Sequence, residues 1–187
     1  MKSQGFTLIE VLIAVLIIGI LAAIAVPQYQ KSVVKSRAAH LQSILSNLVK
    51  ASNEYYLQTG QYPTSFDQFD IDINLPTVPN NQIICDTNWG AASLKKGDGF
   101  EVTINKAGAH KKYRLGVLFT EGRYKCTGFV HILKNDKDAP SKYDGKSFCA
   151  EAYYRRACGS NCDNGDLCKN IMGMKQTGYA DTVFLYE

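Results

Sequence analysis

The chain has 187 residues, a hydrophobic share of 45% and a formal charge of +4 at neutral pH. That length suits one modest domain with an appendage, and the composition excludes a disordered, collagen-like or fibrous chain. The mild positive charge does not by itself mark a polyanion binder, because solvated lysines account for it equally well.

The first element is an apolar segment. Residues 6–26 form a run of 21 residues that is apolar except at Thr7, Glu10 and Gly19, long enough to cross a bilayer core of about 30 Å. Glu10 is the exception that needs a reason, since an ionised carboxylate in hydrocarbon costs several kcal/mol unless it is paired or neutralised. A secretory signal peptide would use Ala23-Ile24-Ala25 as its cleavage site. Only Lys2 is basic ahead of the run, however, and Glu10 lies inside it. A plain single-pass anchor explains the length and leaves Glu10 unexplained.

The helical pattern continues past the apolar run. Pro27 removes one backbone hydrogen bond and predicts a kink. Beyond it Val34, Ala38, Leu41, Leu45, Leu48, Ser52 and Tyr55 recur at steps of three and four, with Lys31, Lys35, Lys50 and Asn53 among the polar positions. This is the pattern of a helix with one face on a core. A helix from Phe6 to about Gln58 would be about 80 Å long. Gly19 and Pro27 bracket a weak stretch of it. Thr59-Gly60 ends it, with Gly60 suited to a left-handed cap and Pro63 blocking continuation.

Residues 64–98 read as a connector with short elements, because Pro76, Pro79 and Asn80-Asn81 oppose a long helix. Phe100, Val102 and Ile104 alternate with Glu101, Thr103 and Asn105, the pattern of a half-buried strand. Tyr113, Leu115, Val117 and Phe119 predict a second strand, and Glu121-Gly122 a turn. Tyr124, Cys126, Val130 and Ile132 fall on one parity of a third, opposite Phe129, His131 and Leu133. Three strands with short connections imply an antiparallel meander with one face on the long helix, and so an α+β fold.

Six cysteines follow residue 84: Cys85, Cys126, Cys149, Cys158, Cys162 and Cys168. An even number beyond an apolar N-terminal segment favours disulfides in an oxidising compartment. Zinc is disfavoured, since the spacing from Cys158 to Cys168 lacks paired CxxC units and nearby histidines. The residues alone leave the pairing open. His40, His110 and His131 are far apart and in no nucleophile motif, so no catalytic arrangement stands out. Asp163-Asn164-Gly165-Asp166 carries part of a calcium loop, but without the spacing and final glutamate of an EF-hand it reads as a polar turn. Lys95-Lys96, Lys106, Lys111-Lys112, Arg114 and Arg155-Arg156 form local basic clusters that would bind phosphates if they converged. With few interleaved aromatics, exposed lysines without a ligand remain the reading.

The leader Lys2-Ser3-Gln4-Gly5 followed by Phe6-Thr7-Leu8-Ile9-Glu10 and an apolar run resembles the processing site of type IV prepilins and type II secretion pseudopilins. The stretch from Tyr55 to Pro63 is similar to the helix-to-head junction of many pilins, so the resemblance covers residues 1–63. It implies cleavage after Gly5 by a prepilin peptidase and N-methylation of Phe6. It also implies that Glu10 pairs during assembly with the new amino terminus, within a subunit or on its neighbour. The segment from Gly19 to Pro27 would lose helical hydrogen bonds in the filament.

The same resemblance implies a ladle: leader 1–5, helical spine 6–58 with a membrane-spanning half at 6–26, and a β-rich head 59–187. A Cys149–Cys168 bridge is the family-like one, with Cys158–Cys162 as a local loop and Cys85–Cys126 remaining. The expected protein is a structural subunit, not an enzyme, with no cofactor and no metal. It would sit in the inner membrane with its head in the periplasm, meet the assembly platform, and polymerise into an extracellular pilus for adhesion, motility or uptake. The alternatives are a type II secretion pseudopilin and, from another class, a DNA-binding minor pilin.

Overall fold

The computed structural model describes residues 7–79, 84–85, 91–105, 113–134, 143–152, 166–180 and 183–187. The chain divides into two compact units, Met1–Arg37 and Ala38–Glu187. Helix α1 runs over Leu8–Thr59. In the first unit its side chains at residues 8–26 are all exposed, and Gly19 and Pro27 both lie within the helical run.

In the second unit α1 buries Ala38, Leu41, Leu45, Leu48, Ala51 and Ser52 while Lys50 and Asn53 stay exposed. That division follows from the 3.6-residue period of the apolar positions. The helix stops where the Thr59 hydroxyl donates to the Tyr55 carbonyl at 2.8 Å and Gly60, at φ 71°, donates its N–H to Tyr56 O at 2.8 Å. A left-handed residue in this place satisfies a carbonyl that the helix leaves open, and glycine adopts it without a Cβ penalty.

Among the described residues, the rest of this unit is built on one antiparallel sheet of seven strands: β1 Ala91–Lys96, β2 Phe100–Asn105, β3 Arg114–Phe119, β4 Thr127–Ile132, β5 Lys146–Ala152, β6 Gln176–Ala180 and β7 Val183–Tyr186, with short helical turns at Phe66–Gln68 and Asp166–Ile171. Their order across the sheet is β1-β2-β3-β4-β5-β7-β6, so the final hairpin inserts β7 between β5 and β6. The architecture is α+β, a long N-terminal helix packed on an antiparallel sheet. The expected meander is its centre, β2 to β4.

Register assigns the two faces. Val102, Val117 and Phe129 stand in line across β2, β3 and β4, with Cys149 next on β5. This face meets α1, as the edge-on contact of His40 with Phe100 at 6.0 Å shows. On the opposite face Leu118, Val130, Ile132, Phe148 and Ala150 form a buried cluster that Cys85 and Tyr143 pack against.

The short elements of the connector 64–98 include a strand, β1, whose outer edge is paired through Val78 N–H to Leu94 O and Lys96 N–H to Pro76 O, each 3.1 Å. Two expectations need correction. Strand β2 is not half-buried: Glu101, Thr103 and Asn105 are as hidden as their apolar neighbours, because the second face is covered too. The third strand begins at Thr127, not at Tyr124. Cys126 sits at φ 63°, a left-handed conformation that an extended strand cannot contain. The cysteine-rich C-terminal region adds three more strands to the sheet.

Candidate assembly site at the helix N-terminus

A helix leaves its first four N–H groups without intrahelical partners. Here the sequence Thr7-Leu8-Ile9-Glu10 supplies the remedy. Glu10 Oε2 accepts from Thr7 N–H at 2.8 Å and from Thr7 Oγ1 at 2.7 Å, while Glu10 N–H donates to Thr7 Oγ1 at 3.4 Å. This is a capping box, in which the N-cap hydroxyl and the carboxylate three residues on serve each other's backbone. Glu10 therefore has a partner inside its own first turn, and its charge lies at the end of the helix where the dipole is positive.

The pattern of Thr or Ser with Glu three places later, ahead of an apolar run, is a sequence signal for this cap. Thr7 is the site residue that the sequence reading passed over. Gly5 and Phe6 lie outside the described residues. Downstream, Leu8, Ile9, Val11, Leu12 and their successors to Val26 present their side chains to the surroundings. A Cβ built on Gly19 would touch nothing, so that glycine is not required by packing in the single chain. The helix is long and apolar enough to cross a membrane.

In the second unit Cys85 is bonded to Cys126 and Cys149 to Cys168, with Cα separations of 4.9 and 5.8 Å. Cys158 and Cys162 lie outside the described residues, as do Lys106, Lys111, Lys112, Arg155, Arg156, His110 and residues 163–165. Asp166 pairs with Arg123 at 2.9 Å. Two of the proposed phosphate-binding cations are already engaged or hidden. Lys95 Nζ donates to Leu75 O at 3.1 Å, and Arg114 is buried. His131 is buried beside Ser147, with Nδ1 2.8 Å from the hydroxyl, and burial pulls its imidazole down from 6.5 to about 4.

Comparison with known proteins places the similarity at the same end of the chain. The family described as the prokaryotic N-terminal methylation motif matches residues 1–26. The chain is 39% identical over 63 residues to a fimbrial protein of Neisseria meningitidis serogroup A, covering 34% of this chain and 37% of that protein. It is 45% identical over 61 residues to the fimbrial protein EcpC of Eikenella corrodens, covering 33% and 40%. A longer match, 35% over 111 residues, joins it to the type IV major fimbrial protein FimA of Dichelobacter nodosus and covers 58% of each. The chain thus spans only about two fifths of the length of the first two relatives. No solved structure matches it.

Proposed function

We propose that this chain, a relative of the type IV pilins through its N-terminal region, is a structural subunit that is cut after Gly5, methylated at Phe6 and polymerised into a pilus filament. The observation that carries the proposal is the helix of residues 8–26. It is apolar, entirely exposed, and headed by a carboxylate inside the matched methylation motif. A surface of that size has no stable existence in water, so a membrane must cover it before assembly and other copies of the helix afterwards.

Glu10 then acts in two stages. In the precursor it caps the helix. Cleavage leaves the Phe6–Thr7 peptide bond in place, so Thr7 keeps its N–H and hydroxyl for Glu10. A new α-ammonium on Phe6 arrives one residue earlier. Among packed helices in low dielectric, a carboxylate and an ammonium that meet in only one register penalise every slip, because a slip strands a charge. The membrane location, the peptidase and methyltransferase, the inner-membrane platform and the filament all follow from this reading.

The relatives named above are fimbrial and major fimbrial proteins, which favours a pilus over a secretion pseudopilus. The test is mass spectrometry of the mature protein. A chain that starts at Phe6 with one added methyl group is expected; a chain that starts at Val26 would sink the proposal.

A further inference from the structure

Outside the N-terminal site, the two disulfides among the described residues share an arrangement that the covalent bond does not require. Among the described residues Glu101 on β2 and Glu151 on β5 are the two most deeply buried carboxylates, at 1% and 2% exposure. Each accepts the backbone N–H of a half-cystine. Glu101 takes Cys85 N–H on Oε1 at 2.9 Å and Ile84 N–H on Oε2 at 3.1 Å. Glu151 takes Cys168 N–H on Oε1 at 2.8 Å, its one bond to a half-cystine, and is also hydrogen-bonded to the Tyr186 side chain. The two clamps lie on opposite faces of the sheet.

The geometry around each bond is convergent. Glu151 lies two residues after Cys149 on one strand, so both side chains project from the same face. That face holds Cys168 twice, by main chain through Glu151 and by sulfur through Cys149. At the other bond the Phe119 carbonyl accepts Cys126 N–H at 2.7 Å and lies 3.2 Å from Cys85 Sγ. In the reduced chain a Cys85 thiol would have an acceptor there, beside its partner cysteine. Burial pushes the Glu101 carboxyl up, against the two N–H groups and the charges of Lys96 and Lys125. A buried carboxylate with that balance is a poor stabiliser of the fold as a whole, and specificity is the better reason for its presence.

We propose that Glu101 and Glu151 are positioning residues for disulfide closure, each docking one half-cystine's backbone beside its partner before the sulfurs join. The chemistry is ordinary exchange. Protein dithiol and a disulfide oxidant such as oxidised glutathione give the protein disulfide and two glutathione thiols. The protein sulfurs lose two electrons, and their two protons end on the glutathione sulfurs.

The experiment uses the full chain in detergent micelles, equilibrated in glutathione buffers, quenched by alkylation and mapped bond by bond by mass spectrometry. Glu101→Leu should lower the closure constant of Cys85–Cys126 roughly a hundredfold, for two lost bonds to a charged acceptor, and leave Cys149–Cys168 unchanged. Glu151→Leu should lower Cys149–Cys168 by roughly tenfold and spare the other. Conservative variants separate positioning from bulk. Glu151→Gln keeps an acceptor for its N–H and should restore closure. Glu101→Gln offers one oxygen where two are in use, and should stay below wild type. Wild-type constants in the leucine variants, or a fall in both bonds together in either, would overturn the proposal.

Discussion

Protonation of His131 should weaken the head as the medium is acidified. Its imidazole is pulled from 6.5 to about 4 by burial, so the folded state binds its proton later than the unfolded state does. The sign follows: stability from this group is complete above 6.5, falls with pH below it, and is exhausted near 4. At about 1.4 kcal/mol for each tenfold change in proton affinity, the full loss is about 3 kcal/mol, and at pH 5.5 it is about 1.4 kcal/mol. Against a typical total of roughly 5–15 kcal/mol, that is a large share. The hydroxyl of Ser147 can rotate to accept from a protonated ring, which places the measured loss below rather than above that figure. Glu101 contributes the opposite slope, since burial raises its pKa and its folded form gains a proton as pH falls. Subtracting a His131→Gln variant removes the Glu101 contribution, because both proteins share it. Urea unfolding of the two proteins in mild detergent, followed by near-ultraviolet circular dichroism between pH 7.5 and pH 4.5, measures the difference. Parallel stability curves would refute the reasoning.

Leu45→Ala removes a side chain that is 2% exposed between α1 and the sheet. It should cost about 2–5 kcal/mol and lower the melting temperature by roughly 5–15 °C; Lys50→Ala on the exposed side of the same helix should change stability by less than about 0.5 kcal/mol. Glu10→Val deletes the acceptor for both Thr7 groups. It should weaken the first turn by about 1 kcal/mol, seen as faster amide exchange at Val11 and its neighbours, and should insert into membranes but assemble poorly. Glu10→Gln can still complete the capping box and should keep most of the protection.

The parts of the fold that could be read in advance are those in which one residue class repeats with one period. Ala38, Leu41, Leu45, Leu48 and Ser52 mark the buried side of α1 because a helix has only one way to place steps of three and four. Gly60 and Pro63 mark its end because few residues tolerate their backbone demands. At the functional end, Glu10 drew attention by its charge, yet its partner Thr7 did not. A threonine in an apolar run looks like a tolerated impurity until the spacing to Glu10 is counted. The C-terminal strands carried no such signal. Lys146–Ala152 holds only Phe148, Cys149 and two alanines as apolar residues, and Gln176–Ala180 is shorter still. Their place in the sheet is decided by pairing with β4 and β7, contacts that no local pattern encodes.

Strand β2 shows where periodicity misleads and why. Glu101 between Phe100 and Val102 has the alternation of a strand with one face in water, and in most sheets that inference would hold. It fails here because residues 84–85 cross the second face and offer two N–H groups to the carboxylate. The polar parity is thus a second interior, in which main-chain donors meet the Glu101 carboxylate. Asn105 Nδ2 reaches Thr103 Oγ1 at 3.5 Å within it. Opposite Thr103 on β3, Gly116 leaves the space that a Cβ, 2.8 Å from the threonine hydroxyl, would fill. A glutamate in such a place is recognisable only once the cysteine that crosses it is known to be tied down, since the same residue without Cys85 would have to face solvent.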